Sequence, residues 1–126
     1  MDSVLYEEVK HFFADNSVQV ELFLAVMDTI KAIGSAKIQV IKSQISFAGR
    51  YKFAWVWLPP AWAKNRPENC IALTFGVDHH IEHEFIAKAV NPYPHRWTHH
   101  LIIEKESDLD CLVIEWLTES YAFSNR

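Results

Sequence analysis

An α+β fold of two layers, with helices packed on a mainly antiparallel sheet of about five strands, is what this sequence predicts, on three observations. Apolar residues recur every three or four positions at both ends of the chain and every second position between them. The strand-like stretches follow one another without intervening helices, so the pattern is not one of βαβ units. At 126 residues, half of them hydrophobic, the chain is long enough for one core and short for two, and a single domain over residues 1–126 is expected.

The first helix is read over Ser3 to Ala14, where Leu5, Val9, Phe12 and Phe13 keep a helical period. A second opens at Asn16-Ser17, with Asn16 suited to the N-cap and Gln19 to the return bond of a capping box. Phe23, Val26, Met27, Ile30 and Ile33 form its apolar stripe, and Gly34 ends it. Only Asp15 to Ser17 separates the two helices, so they should turn back on each other. From Ala36 the period is two. Ile38 and Val40 are followed by Ile45 and Phe47, and this change of phase requires a turn, a bulge or a change of strand at Ile41 to Gln44. Phe53-Ala54-Trp55-Val56-Trp57-Leu58 is an apolar strand stopped by Pro59-Pro60 and expected to be buried on both faces. Cys70 to Val77 is another strand, with Ile71, Leu73, Phe75 and Val77 on one side.

Asp78 to Glu84 is polar and histidine-rich, while Ile86, Ala89 and Val90 after it fit either a short helix or an edge strand. Asn91-Pro92-Tyr93-Pro94 reads as an extended turn. Trp97 to Ile103 alternates as the last strand, which puts Trp97, His99, Leu101 and Ile103 on one side and His100 on the other. Ser107-Asp108-Leu109-Asp110 reads as a capping box for a closing helix whose stripe is Leu109, Leu112, Val113, Trp116, Leu117 and Tyr121. Phe23, Ile30, Trp57, Phe75, Leu112 and Trp116 are expected in one core.

Sixteen acidic residues against twelve basic ones give a net charge of −4 with the seven histidines neutral, which argues against broad attraction to nucleic acid or anionic lipid. The opening Met1-Asp2-Ser3-Val4-Leu5-Tyr6-Glu7-Glu8 lacks the basic-then-apolar layout of an export signal. No apolar run approaches the ~20 residues that span a bilayer, so a cytoplasmic chain is expected and not a membrane protein. Cys70 and Cys111, far apart and outside any C-x-x-C spacing, read as two reduced thiols. There is no phosphate loop, nucleophile elbow, zinc-finger spacing or dinucleotide fingerprint, so no cofactor and no reaction is implied.

Polar groups gather at Lys42-Ser43-Gln44 and at Arg96-Trp97-Thr98-His99-His100, amid five tryptophans, eight phenylalanines and four tyrosines. The ligand-binding set expected from this pattern is Lys42, Gln44, Trp55, Trp57, Arg96 and His100, around one pocket to whose wall Trp62 and Trp97 also contribute. His99, on the core side, reads as a buried, hydrogen-bonded histidine. His79 or His80 with His83 would have usable metal-ligand spacing on a helix, but the stretch reads as a solvated loop and no metal site is assigned. For catalysis, His99 or His100 would need Glu82, Glu84 or Glu104 as partner, and nothing in the spacing selects such a pair. A binding protein is therefore expected ahead of an enzyme.

At Lys42-Ser43-Gln44-Ile45-x-Phe47, Phe53-Ala54-x-Val56-Trp57-Leu58-Pro59 and Arg96-Trp97-x-His99-His100, the chain resembles a bacterial and archaeal family of domains of unknown function, numbered 5655. The likeness continues through Leu22-Phe23 to Gly34 and from Leu109-Asp110 to Trp116-Leu117 and Ala122. The resemblance implies a compact α+β domain, found alone or joined to larger proteins, and no established activity. Two function classes follow. One is a binding module for a small anionic or planar ligand or a peptide. The other is a nucleic-acid accessory domain, with Arg50, Tyr51, Lys52 and Arg96 on phosphates. The acidic charge favours the first, and nothing in the sequence fixes the oligomeric state.

Overall fold

The computed structural model describes residues 2–60 and 69–125. Helices α1 (Ser3–Phe12) and α2 (Ser17–Ile33) precede strands β1 (Lys37–Val40), β2 (Ile45–Ala48), β3 (Lys52–Trp57), β4 (Ile71–Val77), β5 (Ile86–Tyr93) and β6 (Arg96–Ile103). A 3-10 turn at Glu106–Asp108 leads into α3 (Cys111–Ser124). The strands form one sheet in the order β1-β2-β3-β4-β6-β5, with every neighbouring pair antiparallel. The fold is α+β as expected, with six strands among the described residues. The sixth is Ile86–Tyr93, which lies at a sheet edge, where Pro92 removes no bond that an inner strand would need. Asn91-Pro92-Tyr93 therefore belongs to β5, and the reversal falls on Pro94 and His95, with His95 at φ 60°.

Local chemistry sets the helix ends. α1 stops at Phe12, and Ala14 and Asp15 turn the chain with φ of 50° and 60°. Asn16 caps α2 by accepting from the Gln19 N–H at 3.1 Å. The Gln19 amide makes no return bond of the expected kind; it is buried and donates to the Cys70 carbonyl at 3.0 Å, tying α2 to the start of β4. Gly34 closes α2 with extended backbone, and its missing side chain matters for space: a methyl group there would sit 2.6 Å from the Tyr121 ring of α3. α3 is capped by Asp110, which accepts from the Val113 N–H at 3.0 Å. The box expected at Ser107 to Asp110 is replaced by the 3-10 turn, whose Asp108 carboxylate accepts from the Glu104 and Lys105 N–H groups at 2.9 and 3.2 Å.

Helix side chains join one face of the sheet. Phe13, Phe23, Val26, Ile30, Val113, Trp116 and Leu117 form a single cluster with Ile45, Phe47, Ala54, Val56, Leu73, Phe75 and Leu101. Leu112 packs at its margin. Trp57 does not belong to it. That indole lies against Cys70, Ala72 and Ile102 in a separate small cluster without helix residues. Two-sided burial, expected for β3, belongs to β4, every residue of which is buried, whereas Trp55 and Trp57 are half-buried and Leu58 is exposed.

The β2–β3 register slips after Phe47, leaving Phe53 as an extra residue, so that Phe53 and Ala54 are both buried and the Phe53 ring meets Tyr121 edge-on at 5.3 Å. Where the β3–β4 pairing stops at Ala54–Phe75, the buried Ser120 hydroxyl takes over. It accepts from the Gly76 N–H at 3.3 Å and lies 2.9 and 2.6 Å from the Phe53 and Gly76 carbonyls. No helix among the described residues is long and apolar enough to cross a membrane. Cys70 is buried, Cys111 is exposed, and neither forms a disulfide.

Candidate functional site

On the face away from the helices, the ladder aligns a row of side chains across five strands. Ser46 pairs with Trp55, Trp55 with Thr74, Thr74 with His100, and His100 with Lys88. Directly opposed residues share a face, so these side chains form one row on it, with Ser46 and Thr74 buried and Trp55 and His100 half-buried. Trp57, two residues on from Trp55, returns to it by donating its indole N–H to Thr74 Oγ1 at 2.9 Å. The same hydroxyl is 2.7 Å from His100 Nδ1. An indole N–H only donates, so Thr74 accepts from Trp57 and has its own proton to give to His100. In that arrangement the imidazole proton is on Nε2. Burial first, and the Lys88 charge second, lower the pKa of His100 below its usual value, which favours the neutral ring this chain of bonds requires.

Of the six side chains expected at one pocket, Trp57 and His100 are joined through Thr74, and Trp55 stands in their row. Lys42 is elsewhere. It lies in the β1–β2 turn, closed by the Ile41 N–H on the Gln44 carbonyl at 2.9 Å, and with Glu8, His11, Phe12, Val40 and Ile41 it lines a cleft of about 470 Å³ beside α1. Gln44 belongs to that same turn. Arg96 begins β6 at the other end of the strands, with its guanidinium carbon 6.0 Å from the centre of the Phe123 ring in α3. β6 is the third strand over from β2, and the ladder sets Leu101 level with Ile45, with Arg96 five residues to one side of that level and Lys42 to the other, so strand spacing and rise separate Lys42 from Arg96 by more than about 20 Å. They do not meet in one cleft. Trp62 lies outside the described residues. Thr74 and Lys88 complete the strip, and Thr74 was legible as the one polar side chain on the Ala72 and Gly76 side of its strand.

The histidine-rich segment is not helical, and it folds onto the helix side of β6. His80 stacks on Trp97 at 4.5 Å and His83 meets Trp116 edge-on at 5.3 Å, so the pairings expected to suit a metal on a helix do not form. Stacking continues from His80 through His99 and Phe75 to Trp116. His99 is fully buried, and its Nε2 accepts from the Ile81 N–H at 3.0 Å, which leaves the ring proton on Nδ1. That Nδ1 has no hydrogen-bond partner among the described residues. Burial above all, then the nearby His80, His79 and His100, push the His99 pKa down to about 4.

A comparison with protein families matches residues 9–124 to the one described as domain of unknown function DUF5655. The chain belongs to the DUF5655 family. The match takes in α2, all six strands and α3, so the Trp57–Thr74–His100 row, the Lys42 turn and the histidine segment of this chain all lie within the matched residues. No curated protein and no solved structure matches the chain. The family description carries no activity, so the functional reading of this DUF5655 domain rests on its own residues.

Proposed function

We propose that this domain is a binding module that takes a small planar or anionic ligand on the face of its sheet away from α1, α2 and α3. The observation that carries the reading is the shared hydroxyl of Thr74, which holds the Trp57 indole and the His100 imidazole in one fixed arrangement. Two half-buried indoles, Trp55 and Trp57, offer apolar area for a flat ring. A neutral His100 with its proton on Nε2 is a hydrogen-bond donor, and the Lys88 ammonium beside it favours a carboxylate or phosphate group. Of the residues first expected at the site, Lys42, Gln44 and Arg96 play no part in this reading.

The test is a two-dimensional NMR titration with a panel of aromatic carboxylates and nucleoside monophosphates, following the indole N–H signals and the histidine ring signals. Shifts at Trp55, Trp57 and His100 that saturate together, while the Lys42 turn stays still, are the expected result. Shifts that avoid these three residues, or a panel with no effect, would sink the reading. Short single-stranded DNA serves as comparator: binding that falls steeply with salt would favour the nucleic-acid class instead.

A further inference from the structure

The geometry points to a second site, for a divalent first-row transition metal ion, built from Asp78, His79 and Glu119. One donor atom from each of these side chains lies within 4.8 Å of the other two. His79 decides the argument. Its Nδ1 is 2.9 Å from Asp78 Oδ1 and its Nε2 is 3.3 Å from Glu119 Oε1. A neutral imidazole has one N–H to give. Given to Asp78, at an ordinary hydrogen-bond length, it leaves Nε2 with a lone pair turned toward a carboxylate oxygen. Two electron pairs facing each other at that distance repel unless a cation lies between them.

The span suits an ion. Two donor atoms each about 2.1 Å from one metal, subtending roughly 100°, are about 3.2 Å apart, close to the Nε2 to Oε1 separation. The Asp78 contact is then the carboxylate–histidine pairing that fixes the tautomer and orientation of a metal-ligating imidazole and raises its basicity. One imidazole nitrogen and the Glu119 carboxylate on the ion, with Asp78 behind the imidazole, make a mixed nitrogen and oxygen set, which suits zinc, manganese(II) or iron(II) better than soft copper(I).

Both sides of the site are anchored. The histidine segment is held by the Ile81 bond to buried His99 and by the stacking of His80 on Trp97. Glu119 immediately precedes Ser120, whose hydroxyl is locked between β3 and β4. Neither ligand has to be recruited from a loose element, so little ordering cost opposes binding.

A doubly protonated His79 between two carboxylates would have the same geometry, and the experiment separates the two cases. Zinc chloride and manganese(II) chloride are titrated calorimetrically at pH 7.5 into the 126-residue chain and into His79→Ala, Glu119→Gln and, as control, Glu82→Gln, an exposed acid of the same segment outside the site. The side chains of His79 and Glu119 are 51% and 42% exposed, so their variants should keep the fold, which circular dichroism checks. The expected result is one equivalent of ion bound by wild type and by Glu82→Gln, with affinity at least about tenfold weaker in the other two variants. Metal should also raise the wild-type unfolding temperature, and this rise should be lost with Glu119. If no ion binds, or Glu119→Gln binds as tightly as wild type, the trio is an imidazolium clamp or a bystander to uptake by other histidines, and the proposal fails.

Discussion

His99 stands directly opposite Phe75 across the β4–β6 ladder, and the two rings stack 5.1 Å apart with planes 16° from parallel. A charge on that imidazole would sit in the core without water, and its pKa falls to about 4 from an ordinary 6.5. Above the ordinary value the ring is neutral in the folded and unfolded chain alike, and His99 adds no pH dependence. As pH drops from 6.5 toward 4, the unfolded chain takes up a proton that the folded one refuses, so stability declines through this window and the decline ends below it. At 1.36 kcal/mol for each pKa unit, the loss is about 3 kcal/mol. Urea unfolding at a series of pH values should show wild type losing stability faster across the window than His99→Gln, which starts less stable but lacks the group. Parallel curves would mean that other residues titrate.

Trp116 tests the helix-side core. It is 6% exposed, stacks on Phe75 at 5.8 Å and meets His83 edge-on, so it binds α3 to β4 and to the histidine segment at once. Trp116→Ala should cost about 3 to 5 kcal/mol, the range for truncating a buried aromatic side chain. A urea midpoint near the wild-type value would show that this face of α3 is not core.

Ser120 tests the seam between β3 and β4. Its hydroxyl answers the Gly76 N–H and the Phe53 and Gly76 carbonyls where the strands part. Ser120→Ala leaves these buried backbone groups without a partner, for which about 1 to 3 kcal/mol is expected. The Gly76 amide should also exchange with deuterium much faster than in wild type. Unchanged exchange would show that the backbone closes the seam on its own.

How much of this was legible depended on whether the cause was local. α2 could be read because Asn16 and the apolar stripe act within a few residues, and the parity of β6 correctly separated buried His99 from half-buried His100. β5 could not be resolved, because an edge strand with mostly exposed side chains and a proline has neither a strict period of two nor an apolar run. Trp57 was assigned to the wrong core, since an apolar run does not say which face is covered by helices. The separation of Lys42 and Arg96 follows from strand order, in which β6 inserts between β4 and β5, and no local pattern encodes that insertion. Glu119 approaches His79 from forty residues away in sequence, through the packing of α3 alone.

Thr74 links stability to the proposed working surface. It is 2% exposed, and Thr74→Val keeps its shape while removing the hydroxyl that accepts from Trp57 and gives to His100. The Trp57 N–H loses its acceptor and His100 Nδ1 loses its donor, which should cost about 1 to 3 kcal/mol. A second effect is specific to the proton assignment. With Nδ1 released, the His100 ring loses the Thr74 bond that favours a proton on Nε2, and its nitrogen NMR shifts should move from a single tautomer toward a mixture. If the face away from α1, α2 and α3 binds its ligand through the Nε2 proton, the same variant weakens binding by more than its modest change in surface would suggest. A ring that stays wholly in the Nε2–H form in Thr74→Val would mean that the hydroxyl does not orient His100, and the strip would be only a packed surface.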